Sequence, residues 1–170
     1  MSLPLMLLTR NMERRSLLMW LFALFIGGHL IAFSAWNFPV LLASRVLIAL
    51  SHAVFWSITA ALAMRLAPPG AGNRALSLLS IGTVSAMLLG IPLGRVIGNF
   101  LGWRVSMLLI GAAALVVSLI LAKNLPKLPS VNSGSFSSIP VLFKRKNLLL
   151  MFAFTVTIVT AHFTAYTYIE

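Results

Sequence analysis

Long apolar stretches alternate with short polar connections along the whole chain. Five stretches contain few charged residues, and they cover residues 17–36, 40–64, 75–101, 105–122 and 148–170. A helix rises about 1.5 Å per residue and the hydrocarbon core of a bilayer is about 30 Å thick, so a run of roughly 18 to 25 apolar residues matches one crossing. The pattern therefore predicts an all-α integral membrane protein with five full transmembrane helices.

The composition agrees with a membrane protein and disfavours an enzyme. With 60% hydrophobic and 9% charged residues, the chain has too little polar surface to coat a water-soluble globule of 170 residues. The only acids are Glu13 and Glu170, so no catalytic triad or carboxylate pair can be assembled. Cysteine is missing from the sequence and the three histidines are far apart, so we expect no metal and no cofactor.

The net charge of +11 comes from basic residues that cluster in alternate connections. The clustered residues are Arg10, Arg14, Arg15, Arg65, Arg74, Lys123, Lys127, Lys144, Arg145 and Lys146. Basic connections stay in the cytoplasm, so the connections at residues 37–39 and 102–104 are predicted on the opposite side. Because topology and the nearby lipid account for the basic clusters, we do not expect a nucleic acid partner.

Residues 123–147 have the composition of a linker between two helix bundles, because they are rich in proline and serine. Four regions follow. Residues 1–16 hold the end of a truncated helix and a cytoplasmic loop, 17–122 hold four transmembrane helices of an N-terminal bundle, 123–147 form the cytoplasmic inter-bundle loop, and 148–170 form the first helix of a C-terminal bundle. We expect the chain to be a piece of a longer protein, because residues 1–8 are long enough for half a transmembrane helix at most.

Small residues recur at every fourth position of the third stretch, and Pro92 lies among them. The series comprises Gly82, Ala86, Gly90, Gly94 and Gly98. Small residues on one helix face allow a neighbouring helix to approach closely in lipid, and a proline permits a bend. The face is either a static packing seam or a bending interface between bundles.

Three segments resemble the major facilitator superfamily, in its proton-coupled drug and sugar exporters. Gly-Ile-Pro-Leu-Gly at residues 90–94, followed by Gly-Trp-Arg at residues 102–104, resembles the fifth helix and its following turn. Arg14 and Arg15 resemble the end of the cytoplasmic loop between helices two and three. Arg45 matches the arginine of the fourth-helix motif.

The resemblance implies that the five stretches are helices three to seven of twelve, a partial bundle of this superfamily. Residues 51–57 and 159–170 look most like bacterial sugar efflux transporters. A transporter of this kind exports a small solute, either a sugar or a drug-like compound, in exchange for protons. It is a multi-pass protein of the bacterial inner membrane whose partners are membrane lipid, the solute and protons.

Polar residues inside the second stretch are candidates for the transport path. Arg45 and His52 are seven residues apart, hence on one helix face, and Trp56 continues this face four residues later. A cation, an imidazole and an aromatic ring form a plausible cavity wall, because a charge in hydrocarbon is costly and faces the bundle interior. The alternative is that Arg45 extends to the interface and His52 is merely hydrogen-bonded within the bundle.

The last stretch repeats this arrangement with His162, Tyr166 and Glu170 spaced by four. Hydroxyls and aromatic rings suit a polyhydroxylated solute. The threonines on an adjacent face fit this interpretation, but they can equally bond to their own helix carbonyls. His29, beside two glycines, is expected to be a packed histidine rather than a proton carrier.

An alternative function is a truncated, transport-incompetent membrane protein with a structural role, or a small membrane subunit. This alternative follows from the single bundle, because carriers with repeated halves place the solute site between the two halves. The sequence does not specify the substrate, the coupling stoichiometry or the oligomeric state.

Overall fold

The computed structural model describes residues 12–126, 128 and 146–168, and all regular secondary structure in them is helical. The helices are α1 (Arg14–Phe33), α2 (Phe38–Leu66), α3 (Gly72–Asn124) and α4 (Lys146–Tyr168). The all-α prediction is therefore confirmed. The chain divides into two compact units, Met1–Val131 and Asn132–Glu170, so that α1, α2 and α3 belong to the first unit and α4 to the second.

The prediction of five full transmembrane helices is not supported. Within the described residues, three helices are long and apolar enough to cross a membrane, namely α1, α2 and α3, and the apolar stretch found in α4, Lys146–Ala161, is shorter. Helix α3 has 53 residues, because the turn expected between the third and fourth stretches is reduced to Gly102. Gly102 has a φ of +83°, which divides α3 into two arms about 45 Å and 33 Å long.

The first arm of α3 covers residues 72–101 and the second arm covers residues 103–124. Each arm is long enough to cross the hydrocarbon core of a bilayer, which is about 30 Å thick. A positive φ is accessible to glycine because glycine has no Cβ atom. The chain can therefore change direction at Gly102 without a longer loop.

Residues at both ends of α2 explain where this helix begins and ends. The Asn37 side chain accepts a hydrogen bond of 3.0 Å from the Val40 backbone nitrogen, and Pro39 lies in the first turn. An asparagine cap and an early proline are typical helix starts. After α2, Pro68 and Pro69 prevent further helix, and Gly70 adopts a φ of +80° in the turn that leads to α3.

Helix α1 packs against both α2 and the second arm of α3. On the α2 side, Leu17 and Leu21 form a buried cluster with Val54 and Ile58. A second buried cluster joins Leu18 to Leu62 of α2 and to Leu125, which directly follows α3. Residue numbers rise along α1 while they fall along α2, so the two helices are antiparallel.

Candidate functional site

The polar face predicted on α2 is exposed in the first unit. Arg45, His52 and Trp56 all have exposed side chains, as the cavity-wall interpretation requires. The structure places the three α2 residues along one helix but in different surroundings.

His52 lines a half-open cavity of about 110 Å³ between α1 and α2. The wall consists mainly of aromatic side chains, and its residues are Leu21, Phe22, Phe25, Ser51, His52 and Phe55. The His52 Nδ1 atom lies 3.3 Å from the Ile48 carbonyl oxygen, one turn earlier in the same helix. The cavity therefore offers one imidazole and one hydroxyl group in a wall that is otherwise apolar.

Phe25 lies next to two imidazole rings. Its ring centre is 5.2 Å from that of His52 and 4.2 Å from that of His29. His29 is only 4% exposed, and its Nδ1 lies 2.9 Å from the Phe25 carbonyl oxygen. His29 is thus a packed, hydrogen-bonded residue behind the cavity wall, while His52 is accessible.

Trp56 lines a separate groove of about 480 Å³ between α2 and the first arm of α3. Its ring packs edge-on against Phe55, with 5.8 Å between the ring centres. The residues of the groove are Phe55, Trp56, Thr59, Leu79, Gly82, Thr83, Ala86, Met87 and Ile91. Phe55 lines both the groove and the cavity, so it separates Trp56 from His52.

The hydroxyl groups at the cavity and the groove donate to their own helices. Thr59 donates to the Phe55 carbonyl oxygen at 2.5 Å, Thr83 to that of Leu79 at 2.9 Å, and Ser51 to that of Ile48 at 2.8 Å. Each hydroxyl oxygen retains lone pairs, so these side chains can still accept a hydrogen bond. A solute that donates a hydrogen bond can therefore still bind to these hydroxyl oxygens.

The site residues predicted in the last apolar stretch belong to the second unit. His162 and Tyr166 lie within α4, and their side chains are outside what is described; Glu170 lies outside the described residues. Thr157 and Thr164 donate to the carbonyl oxygens of Ala153 and Thr160, as the local alternative predicts. The contribution of α4 to the path stays a prediction.

The glycine face of α3 is open in the first unit. Among the described residues, a Cβ atom on Gly82, Gly90 or Gly94 would have no neighbour on another helix within 4 Å, and one on Gly98 would lie 3.8 Å from Ser106 Oγ. Pro92 lies inside the arm, and the helix continues through it. The face has room for a further helix, so its packing role stays a prediction.

Two other glycines, which the periodicity of α3 did not indicate, lie at close helix contacts. A Cβ atom on Gly28 would lie 2.8 Å from Ile48 Cγ1, and one on Gly111 would lie 3.3 Å from His29 Cβ. Gly28 contacts the segment that begins at buried Ser44, which is small as well. Matching small residues on the two partner helices could have indicated this contact.

The arginines of the predicted loop motif lie at the start of α1. Arg15 Nη2 donates to the Ala122 carbonyl oxygen at 2.6 Å. Arg14 is 8% exposed, and its backbone nitrogen donates to the Leu128 carbonyl oxygen at 3.1 Å. Both residues therefore join the beginning of α1 to the end of α3.

Three long apolar helices in the described residues define a multi-pass membrane protein. The sequence model of the Major Facilitator Superfamily matches residues 1–170. The chain belongs to this family, whose members are transporters.

Proposed function

We propose that this chain forms helices three to seven of a twelve-helix secondary transporter of the bacterial inner membrane. The carrier exports a small solute, a sugar or a drug-like compound, in exchange for protons. Membership of a transporter family supports the general class. The observation that carries the proposal is the polar face of α2, where His52 and Trp56 open into two neighbouring recesses.

The two recesses supply complementary chemistry. Trp56 offers an aromatic face on which a sugar ring or a flat drug-like ring can stack, and the hydroxyl oxygens of Thr59 and Thr83 can accept hydrogen bonds. Imidazole takes up and releases protons near neutral pH, so His52 is the proposed proton-binding group. Arg45 provides a fixed positive charge on the same helix.

The remaining predicted residues complete the proposal. His162, Tyr166 and Glu170 contribute the second wall of the path. The glycine face with Pro92 is where the first arm of α3 meets another helix during alternating access, since the face is open and bending is permitted there. Arg14 and Arg15 stabilise the cytoplasmic end of the bundle.

The experiment measures solute flux by the complete carrier in proteoliposomes. A pH gradient is imposed, and the movement of a radiolabelled sugar and of a hydrophobic dye is followed separately. His52→Gln is expected to abolish accumulation driven by the pH gradient while leaving solute exchange without a gradient, because glutamine can hydrogen-bond but cannot titrate.

The matched control is Ala61→Ser, an exposed residue of α2 that lines neither recess. It is expected to transport like the wild type. Gradient-driven accumulation by His52→Gln at the wild-type rate would refute the role of His52. Failure of the wild type to move either solute would refute the proposed transport of sugars or drug-like compounds.

A further inference from the structure

Arg104 joins the C-terminal end of α1 to the second arm of α3. Its Nη2 atom donates to the Ala35 carbonyl oxygen at 2.8 Å, and its guanidinium carbon lies 4.4 Å from the centre of the Trp103 ring. Ala35 is buried and lies just beyond the last turn of α1, where α1 has no basic residue of its own. Arg104 therefore supplies the missing cation at the negative end of the α1 dipole.

Arg15 makes the reciprocal contact at the other end of the same helix pair. It lies in the first turn of α1 and donates to the Ala122 carbonyl oxygen in the last turn of α3. Such carbonyls have no partner within their own helix. Each helix thus provides an arginine that caps the C-terminal end of the other.

Between the two arginines, His29 of α1 packs against Gly111 of α3. Both residues are buried, and a Cβ atom on Gly111 would lie 3.3 Å from His29 Cβ, which is a close contact. A larger residue at position 111 would therefore push against the His29 side chain. The lack of a side chain at Gly111 therefore allows His29 to pack closely against α3.

These three contacts define one axial register. Residue 15 meets 122, residue 29 meets 111, and residue 35 meets 104, so the two segments run antiparallel. A slip of one residue would move α1 by about 1.5 Å. Both arginine side chains would then have to change conformation to keep their hydrogen bonds, since good hydrogen bonds span only a few tenths of an ångström in distance.

We propose that Arg104 and Arg15 are positioning residues that fix the register of α1 on the second arm of α3 and thereby hold His29 against Gly111. The cavity that His52 lines is formed by α1 and α2, so His52 serves as an internal reference for this contact. The proposal is independent of which solute is carried.

The test measures how fast each histidine of the full chain, reconstituted in lipid nanodiscs, is acylated by diethylpyrocarbonate. Peptide mass spectrometry resolves His29 from His52. In the wild type, buried His29 is expected to react more slowly than exposed His52. Arg104→Met retains the apolar stem but has no donor, so the His29 rate is expected to rise about tenfold while the His52 rate stays within about twofold.

Two further variants separate positioning from a general loss of structure. Arg104→Lys keeps a cation and a donor, and it is expected to retain the slow His29 rate. Arg74→Met removes an exposed arginine at the start of α3 and is expected to behave like the wild type. Circular dichroism records helix content in every sample.

The proposal is overturned if His29 reacts as slowly in Arg104→Met as in the wild type. If Arg104→Met loses helix content, the His29 acylation rate of Arg104→Lys tests the proposal instead. A slow His29 rate in a helical Arg104→Lys protein supports the proposal, whereas a fast rate with intact helix content contradicts it.

Discussion

Gly28 of α1 lies so close to Ile48 of α2 that a Cβ atom on residue 28 would be 2.8 Å from Ile48 Cγ1 and 3.4 Å from the Ser44 carbonyl oxygen. The preceding residue, Gly27, has open space at the same position. Two adjacent glycines of one helix therefore have different roles. Gly28 permits the close contact of α1 with α2, and Gly27 does not take part in it.

We expect Gly28→Ala to destabilise the packing of α1 on α2 by about 1–3 kcal/mol, because the added methyl group has to displace Ile48 or the α2 backbone. The measurement is unfolding in mixed micelles of increasing SDS content, followed by circular dichroism. Gly27→Ala is the matched control and is expected to be neutral or slightly stabilising, since alanine favours a helix. Equal stability of the two variants would contradict the close contact at Gly28.

The basic connections predict the sidedness of the chain. Reporter fusions at Asn37 and at Ser133 are expected to give opposite sidedness, with Ser133 in the cytoplasm, because its segment is flanked by Lys and Arg residues while the Asn37 connection has none. Alkaline phosphatase and green fluorescent protein fusions report the two sides. Cytoplasmic exposure at both positions would refute the topology.

The open glycine face of α3 is expected to be a contact in the complete carrier. Gly90→Leu and Gly94→Leu should each abolish transport, because a large side chain would keep a neighbouring helix at a distance. Leu89→Met, at an adjacent position that is 70% exposed, is the control and should transport normally. Normal flux by both leucine variants would rule out close packing on this face.

The chain by itself is expected not to transport. It should insert, because its helices are apolar, but alternating access requires two helix bundles around a central site. Proteoliposomes that contain only these 170 residues are assayed for sugar and dye movement under a pH gradient. Coupled flux would contradict this prediction and also the alternative of a transport-incompetent protein.

Much of the fold could be predicted from local properties of the sequence. Apolar length predicted helices in the stretches that form α1, α2 and α3, because the length needed to cross a bilayer is a property of a single segment. The same reasoning expected a turn near Gly102 but not its extent. One residue with positive φ was enough, and periodicity does not indicate how many residues a turn needs.

The candidate site could be predicted only in part. The spacing of Arg45, His52 and Trp56 predicted one shared helix face, since residues seven and four apart lie on the same side of a helix. Their role in transport stays a prediction. Their separation into two recesses by Phe55 depends on neighbouring helices. The contribution of His162, Tyr166 and Glu170 stays a prediction.

The sequence alone predicted a membrane protein built from helices, because hydropathy acts within one segment, but it predicted five full transmembrane helices where the described residues contain three. Which small residues lie at helix contacts, and which arginines join helices, depends on how the helices pack and is seen only in the tertiary structure. Gly28 and Gly111 each lie at a close contact with another helix, whereas Gly90 has open space around it, although all three are glycines in apolar helices. Arg104 bonds to Ala35 across 69 positions of sequence, and such a pairing follows from helix packing rather than from any local pattern.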